Sequence, residues 1–257
     1  MKQKLTIVKV SGKIVENPET LKLFIKELCA LKGNKLVIHS GSNLASRIAE
    51  RMGVKITTVD SRPVVDDKTL NVLSMVYAGL VNKQLVALLQ ARKVNAVGVT
   101  GADFNLISSV KRGMGGTDMG YTGEVRQVNA TFISRLIDEG VTPVLAPLTH
   151  DGKGSLLFNE TDAMAAEVAK ALALRYDVTL IYCFEKKGVL LNVDDPDSVV
   201  VELKRTRYKA MRELEIIKDW FVNKLDNAFS AIDHGVSEVI ITNPAQLSDY
   251  TRGTHIK

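Results

Sequence analysis

Apolar and polar positions alternate along this chain in two regular patterns, one typical of buried strands and the other of amphipathic helices. Short runs rich in β-branched residues predict strands at residues 5–10, 35–39, 96–99, 142–146, 178–183 and 237–241. Apolar residues at helical spacing predict helices at 18–32, 43–52, 67–92, 131–140, 162–174 and 222–234. Because strands and helices take turns, the chain is predicted to be an α/β protein with a parallel sheet between two helical layers.

Three segments fall outside this alternation. A polar stretch near 55–65 predicts a hairpin, and strand-like runs at 106–111 and 121–128 predict a second hairpin around a glycine-rich connection. The Asp-rich segment 192–198 lacks the glycine and the spacing of a calcium loop, so it is predicted to be a solvated turn.

Two turns of small residues follow the first two predicted strands, one after Lys9 and one after His39. They consist of Ser11, Gly12, Ser40, Gly41 and Ser42. Ligands of parallel sheets bind beyond the carboxyl ends of the strands, where unshielded N–H groups and helix N-termini attract phosphate. The turns therefore predict a phosphate site with Lys9 as a fixed cation, although small residues also occur in ordinary strand-to-helix turns.

Composition and charge narrow the class of protein. The chain has 257 residues, 46% hydrophobic and 25% charged, which is enough for one large domain or two joined lobes. Its net charge of +5 comes from lysines scattered among carboxylates, without the basic face and interleaved aromatics of a nucleic-acid-binding protein. The charge suits a small anionic substrate and a nucleotide, and no nucleic acid partner is expected.

Targeting and redox signals are weak in this sequence. Uninterrupted apolar runs are much shorter than the roughly 20 residues of a membrane span, and the N-terminus lacks the order of a signal peptide, so a cytoplasmic protein without a membrane partner is predicted. Cys29 and Cys183 have no metal-ligand spacing, and neither a disulfide nor a zinc site is predicted. His39 and His150, near the predicted site loops, are interpreted as structural residues.

An ordered set of short motifs extends over most of the chain. In order, these are Lys9-x-Ser-Gly12, His39-Ser-Gly41-Ser, Arg62, Gly79-x-x-Asn82-Lys83, Gly98-x-x-Gly101-x-Asp103, Gly120-x-x-Gly123-Glu124 and Lys224. Each motif is weak alone, but together they resemble the N-acetylglutamate kinases of the amino acid kinase family, from about residue 5 to residue 256. The resemblance implies a single domain over 1–257, an open, mainly parallel eight-stranded αβα sandwich. Its lobe 1–175 would bind the acylated amino acid and dimerise, and its lobe 176–257 would bind the nucleotide.

The same resemblance implies transfer of a phosphoryl group from ATP to the γ-carboxylate of N-acetyl-L-glutamate, with Mg²⁺, in arginine biosynthesis, by a homodimer. Lys9 and Lys224 would flank the phosphoryl group as catalytic residues, and Asp162 would hold their ammonium groups. The acylated glutamate would contact Gly41, Ser42, Arg62 and Asn159. The nucleotide would contact Glu185, Lys187, Gly188 and Lys224. No protein ligand is assigned to Mg²⁺, because the ion keeps several waters and needs few carboxylates.

Several positions depart from the pattern of that family. Ser11, Ser40 and Ser42 stand where the family has glycine, which would strain the loops if those positions required a positive φ. Glu160 stands where an amide would face the substrate, and its carboxylate would repel an anionic substrate.

A further departure precedes Lys224, where the bulky run Asp219-Trp220-Phe221 replaces small residues. Trp220 either fills space that ATP occupies in relatives or caps the pocket.

Two alternatives to an acetylglutamate kinase therefore stay open. One is a kinase-like protein that binds a ligand or a partner without turnover, against which the retained lysines and aspartate argue. The other is a kinase for another substrate, such as N-succinylglutamate, whose additional carboxylate Lys13 could pair with.

Overall fold

The computed structural model describes residues 2–59, 62–114 and 116–257, apart from the side chains of Met114, Asp219 and Trp220. The strands are β1 (Lys4–Val10), β2 (Asn34–His39), β3 (Thr57–Val59), β4 (Arg62–Val64), β5 (Ala96–Val99), β6 (Ile107–Met114), β7 (Thr117–Val128), β8 (Thr142–Leu145), β9 (Leu148–His150), β10 (Leu156–Asn159), β11 (Asp177–Cys183), β12 (Glu202–Leu203), β13 (Glu238–Thr242) and β14 (Thr254–Ile256). The helices are α1 (Gly12–Glu16), α2 (Pro18–Ala30), α3 (Ser42–Arg51), α4 (Asp67–Leu73), α5 (Asn82–Gln90), α6 (Ala130–Asp138), α7 (Thr161–Ala173), α8 (Arg205–Glu213) and α9 (Asp219–Asp233). The predicted alternation is confirmed, and the prediction for Trp220 lies outside the described side chains.

The main sheet has eight strands in the order β12-β14-β13-β11-β1-β2-β8-β5. Every neighbouring pair is parallel except β13 and β14, which run antiparallel. β1 pairs along its whole length with β11, so strands from both predicted lobes belong to one sheet. This arrangement confirms the predicted mainly parallel eight-stranded sandwich.

Side chains that alternate along β1 explain why helices cover both faces of the sheet. Leu5 and Ile7 belong to a core that includes residues of α7 and α9, whereas Val8 and Val10 belong to a second core with α2, α3 and the helices after α3. All four are buried, which is why this strand is mainly apolar from Leu5 to Val10, interrupted only by Thr6 and Lys9. Because the cores lie on opposite faces, the end of β1 opens onto elements from both helical layers.

A second group of strands holds the predicted hairpins. β10, β7, β6 and β9 form a closed ring, and the β3–β4 hairpin lies against it because Tyr121 N–H donates to the carbonyl of Val65 at 2.7 Å. Gly120, which precedes Tyr121 in β7, has φ +64°, and a Cβ there would lie 2.2 Å from the Val65 oxygen, so this contact between the hairpin and β7 requires glycine. Both predicted hairpins are confirmed. β9, β10, β12 and β14, of two to four residues, were not predicted, because none of them follows a predicted helix, as the equally short β5 and β8 do.

A long helical stretch, Asp67–Gln90, combines α4, the π-helical segment Ser74–Val81 and α5. By length and composition alone this 24-residue stretch could cross a membrane, with a mean hydropathy of 1.5 over its most apolar window. Its buried residues, including Val72, Val76 and Leu85, belong to the second core. The core helix of a globular protein passes the same test, so the stretch is weak evidence for a membrane span.

Candidate active site

A half-buried carboxylate between two buried ammonium groups lies at the centre of the site. Lys9 is the next-to-last residue of β1, Asp162 is in the first turn of α7, and Lys224 is on α9. Lys9 Nζ lies 2.7 Å from Asp162 Oδ1, and Lys224 Nζ donates to Asp162 Oδ2 at 2.6 Å. The exposed fraction of the side chain is 7% for Lys9, 26% for Asp162 and 9% for Lys224. The three predicted residues thus meet from the two ends of the chain.

The electrostatics of this lysine triad (Lys9, Asp162 and Lys224) follow from its burial. Burial opposes ionisation of Asp162, but the charges of Lys224 and Lys9 overcome it and hold the pKa of the carboxyl well below its ordinary value. Burial lowers the pKa of Lys224 to about 8, against the raising effect of Asp162. The Lys224 ammonium also lies 5.0 Å from the centroid of the Tyr182 ring, whose hydroxyl donates to the backbone carbonyl of Asp162. The triad carries one excess positive charge when both lysines are protonated.

The two small-residue turns lie against each other beside the triad. Ser40 N–H donates to the carbonyl of Val10 at 3.1 Å, and a Cβ on Gly12 would lie 3.1 Å from Ser42 N, a tight fit. Ser11 has φ −72°, and neither Ser40 nor Ser42 has a positive φ. The serines therefore cause no left-handed strain, and the expected backbone cost of replacing glycine is absent at these positions.

Buried polar atoms without partners lie at the carboxyl edge of the sheet. Among the described residues, Ser11 Oγ, Thr242 Oγ1 and Asn243 Oδ1 have no hydrogen-bond partner. Ser11 follows β1, Thr242 ends β13, and Asn243 follows it. Since buried polar groups are normally satisfied, these atoms are suited to contact a polar ligand.

The π-helical segment brings an aromatic residue to the second turn. Tyr77 stacks on His39 with ring centroids 6.4 Å apart, and its ring carbon would lie 3.5 Å from a Cβ on Gly41. His39 accepts a hydrogen bond from Asn82 Nδ2 at 3.2 Å, and burial lowers its pKa to about 4. His39 is therefore neutral near pH 7 and held by protein contacts, as a structural residue would be.

A second carboxylate between two cations lies two residues before Asp162. Arg62 Nε donates to Glu160 Oε1 at 3.2 Å, and Arg112 Nη1 donates to Glu160 Oε2 at 3.4 Å. The side chains of Arg62, Glu160 and Arg112, here called the arginine triad, are 17%, 29% and 25% exposed. The carboxylate at residue 160, which was predicted to repel an anionic substrate, thus lies between two guanidinium groups that offset its charge.

Two adjoining cavities connect these groups. The larger, about 410 Å³, is lined by both serines of the second turn, Arg62, Asp162 and Lys224, and also by Tyr77, Asn223 and Asn227. The smaller, about 280 Å³, is lined by Arg62, Arg112, Asn159, Glu160, Asn223 and Asn227, and also by the acidic residues Glu124, Glu167 and Asp226. Arg62 and Glu160 line both. Of the predicted site residues, Ser40, Ser42, Arg62, Asp162 and Lys224 therefore border one cleft, whereas Lys9, Ser11, Gly12 and Gly41 line neither cavity.

Asn159 is more enclosed than a simple substrate contact would be. It is buried at 2% exposure, its Oδ1 accepts from Thr149 Oγ1 at 2.6 Å, and its Nδ2 donates to Ser109 Oγ at 3.1 Å. It still lines the smaller cavity. A substrate contact by Asn159 would use the remaining hydrogen-bonding capacity of its amide.

Three of the predicted nucleotide contacts, Glu185, Lys187 and Gly188, follow β11 and do not line the larger cavity. Glu185 is 3.4 Å from Lys13 Nζ, and its charge raises the pKa of Lys224, which places it near the triad. Lys187 pairs with Asp197, and Gly188 lies so close to Thr254 that a Cβ would be 2.5 Å from its Oγ1. A small apolar pocket of about 60 Å³ adjoins Gly188 and is lined by Phe184 and Phe221, whose rings are 5.5 Å apart. Glu185 thus reaches the first turn through Lys13, which follows Gly12, whereas Lys187 and Gly188 contact Asp197 and Thr254.

Within the described ranges, no group of three or more His, Cys, Asp or Glu side chains is arranged to hold a metal ion. Both Asp162 oxygens already face ammonium groups. A divalent ion here would therefore take its oxygen ligands from the phosphates of a nucleotide and from water, which is a coordination that Mg²⁺ accepts.

Comparison with known proteins identifies the family of this chain. The family model "Amino acid kinase family" matches residues 4–243. This chain belongs to the amino acid kinase family. An acetylglutamate kinase from Phocaeicola vulgatus is 50% identical over 257 residues, and one from Bacteroides thetaiotaomicron is 47% identical, each match covering both chains fully. The N-acetylglutamate synthase of Neisseria gonorrhoeae, solved with coenzyme A and N-acetyl-glutamate, matches all of this chain and 60% of its own with a TM-score of 0.83 at 22% identity, a likeness of fold.

Sequence reasoning missed several residues that line the cleft of this amino acid kinase. Arg112 lies one residue beyond the predicted strand 106–111, and nothing in its local pattern marks it, because its role depends on β6 lying beside the start of α7. Asn223 and Asn227 line both cavities. Their spacing of four residues on α9 places both on one helix face, a signal that the sequence did offer. Tyr77 was assigned to the core, and its contact with Gly41 depends on the π-helical turn.

Proposed function

We propose that this amino acid kinase is an acetylglutamate kinase, which transfers the γ-phosphoryl group of ATP to the γ-carboxylate of N-acetyl-L-glutamate. The product would be N-acetyl-L-glutamyl 5-phosphate, an acyl phosphate of arginine biosynthesis. Full-length relatives of that name at 50% and 47% identity support the proposal. The observation that carries it is the lysine triad, because two buried ammonium groups braced by one carboxylate suit a phosphoryl group in transfer.

In this proposal the chemistry is positioning and charge neutralisation. Lys9 and Lys224 contact oxygens of the moving phosphoryl group from opposite sides. Because each ammonium group is a compact point charge, it can stabilise negative charge that spreads over three oxygens. Asp162 holds the two ammonium groups in place. Its lowered pKa and its two ion pairs make it unsuited to accept a proton. No base is needed, since the acceptor carboxylate is already ionised near pH 7.

Substrate positions follow from the two sides of the cleft. Ser11 N–H donates to Cys183 and Ser40 N–H to Val10, so the backbone N–H groups of Gly12, Gly41 and Ser42, together with the serine hydroxyls, would donate to phosphate oxygens. Gly41 and Ser42 would also border the acylated glutamate. Arg62 would pair with a substrate carboxylate, with Asn159 nearby. The nucleotide would extend past Lys224 toward Glu185, Lys187 and Gly188.

The two lobes of the chain would bind different substrates. We assign the acylated amino acid to residues 1–175 and the nucleotide to 176–257, the halves that meet where β1 pairs with β11. Mg²⁺ would neutralise charge on the ATP phosphates and be held mainly through them. A homodimer in the cytoplasm is proposed from the family resemblance.

A coupled assay for ADP release tests the function. The purified chain with MgATP is given N-acetyl-L-glutamate, N-succinyl-L-glutamate or L-glutamate, and turnover should be fastest with N-acetyl-L-glutamate. Faster turnover with the succinyl substrate would replace the proposal with that alternative. Absence of turnover with all three, while MgATP still binds, would favour a kinase-like binding protein. A hydroxamate assay of the product distinguishes an acyl phosphate from simple ATP hydrolysis.

A further inference from the structure

We propose that Arg112 and Glu160 form a compensating pair: Arg112 neutralises the carboxylate of Glu160, so that Arg62 can be shared with a substrate carboxylate. Arg112 is then a positioning residue that sets the affinity of this site for its anionic substrate. The inference rests on the proposed function, since it concerns the carboxylated substrate of the same cleft.

Two ion pairs hold the carboxylate of Glu160 at the cleft. It is the N-cap residue of α7, two residues before Asp162, so its backbone is fixed by the same helix that holds the lysine triad. One of its oxygens faces Arg62 and the other faces Arg112, at 3.2 and 3.4 Å. Both cavities border its carboxylate. An anionic substrate at Arg62 would therefore lie within a few ångströms of a second negative charge.

The position of Arg112 follows from strand register. β7 pairs with both β6 and β10, and Gly123 of β7 is opposite Lys111 on one side and Asn159 on the other. Residues 112 and 160 each follow these partners by one position. The β6–β7 register is irregular between Lys111 and Gly113, and such irregularities redirect a side chain. Arg112 reaches Glu160 from this irregular position.

The charges around Arg62 give the consequence. Glu124, Glu167 and Asp226 line the smaller cavity together with Glu160, so a substrate carboxylate enters a site that already holds negative charge. Arg112 offsets the charge of Glu160, the carboxylate that Arg62 contacts, and without Arg112 the substrate and Glu160 would compete for Arg62, which weakens binding in a partly buried site. Loss of Glu160 as well would remove the charge that Arg112 offsets.

This predicts a specific double-mutant cycle. The variants Arg112→Met, Glu160→Gln and the double variant preserve side-chain length and are compared with the unaltered chain on the acylated glutamate that it phosphorylates. We expect Arg112→Met to raise KM for that substrate at least about tenfold, with kcat and KM for ATP changed less than about threefold. Glu160→Gln should leave KM equal or lower, and the double variant should return within about threefold of the unaltered chain.

A matched control removes the neighbouring charge. Lys111 precedes Arg112 on the same strand, and its ammonium lies 4.3 Å from the centroid of the Tyr121 ring, not against Glu160. Lys111→Met should leave KM for the acylated glutamate within about twofold. If Lys111→Met raises KM as much as Arg112→Met does, the effect is one of general charge and the inference is wrong.

Two further outcomes would overturn the inference. One is an Arg112→Met variant with unchanged KM, and the other is a double variant whose KM stays as high as that of Arg112→Met. If Arg112→Met does not fold, Glu160→Gln decides, because a rise in its KM would mean that Glu160 assists binding. These results differ from failure of the proposed function, in which the unaltered chain phosphorylates none of the acylated glutamates.

Discussion

The site contains two triads of the same composition, one carboxylate between two cations, only two residues apart on α7. The lysine triad is tight and buried, with distances of 2.7 and 2.6 Å and lysines less than 10% exposed. The arginine triad is looser, with distances of 3.2 and 3.4 Å and arginines 17% and 25% exposed. The lysines come from β1 and α9, whereas the arginines come from β4 and β6, outside the main sheet.

The difference suits two kinds of ligand. Buried ammonium groups at fixed positions stabilise negative charge that develops during a reaction, and this attraction is stronger where water is excluded. Guanidinium groups at a more open edge recognise a carboxylate that carries its charge throughout, through planar hydrogen bonds. In the proposed kinase, the lysine triad would therefore control kcat and the arginine triad would control KM.

The largest expected effect is on the lysine triad. Lys224→Ala and Lys9→Ala should each lower kcat at least about 100-fold, because each removes a cation that contacts the transferring phosphoryl group. Steady-state kinetics with saturating substrates measures this effect. Lys204→Ala, which removes an exposed lysine paired with Glu202, is the control and should retain full activity. A Lys224→Ala enzyme with near-normal kcat would contradict the assigned role of the triad.

The second prediction compares the two carboxylates directly in the free energy of unfolding. Asp162→Asn leaves two buried ammonium groups without their counter-charge and should lower stability by about 3 kcal/mol at pH 7. Glu160→Gln leaves more exposed guanidinium groups and should cost less than about 1 kcal/mol. Urea unfolding of both variants gives the two values. Equal losses would mean that the triads do not differ in burial as described.

The stability that Asp162 contributes depends on pH in a definite direction. The folded-state pKa of Asp162 is depressed below its unfolded value, so its ion pairs stabilise the protein above the unfolded pKa, and this stability is lost as pH falls through the folded pKa. The difference in stability between the unaltered chain and Asp162→Asn should therefore persist at neutral pH and shrink in strong acid.

Most of the fold was accessible from the sequence, because each long element carries its own periodicity. β1 reads as a mainly apolar strand since it is buried on both faces, and α7 reads as a helix since its alanines and aliphatic residues recur at helical spacing. The short strands β9 and β10 were missed because they do not follow a predicted helix, as the four-residue strands β5 and β8 do. They matter, since β10 delivers Asn159 and Glu160 to the cleft.

The candidate site was accessible in part, for a different reason. Lys9, Asp162 and Lys224 could be placed together only through the family resemblance, since they are separated by more than 60 residues and no local pattern joins them. The compensation of Glu160 could not be foreseen, because it depends on the register of β6 and β7 near residue 112. Likewise, Ser11 replaces glycine without backbone strain because its φ is −72°, and the residue type alone does not reveal that angle.

A smaller effect is expected in the pH dependence of the reaction. Burial lowers the pKa of Lys224 to about 8, so the ammonium form that the reaction requires disappears as pH rises through that value. We therefore expect kcat/KM to fall above about pH 8, approaching tenfold per pH unit. The limb in kcat should lie at higher pH, because bound phosphate favours the charged lysine. A flat profile to pH 10 would show that Lys224 stays protonated or is not required.

The smallest expected effect separates ligand binding from folding at Ser11, beside the lysine triad. Ser11 Oγ is buried and, among the described residues, has no hydrogen-bond partner, so Ser11→Ala removes no protein contact and should change the unfolding free energy by less than about 0.5 kcal/mol. If this hydroxyl donates to a nucleotide phosphate, however, KM for ATP should rise by roughly three- to tenfold, the value of one hydrogen bond. Ser248→Ala, on an exposed turn where the hydroxyl pairs with Glu27, is the control for loss of a serine hydroxyl and should leave KM for ATP unchanged. An unchanged KM in Ser11→Ala would restrict phosphate binding to the backbone N–H groups of the turn, and the lysine triad would then have to supply the remaining attraction.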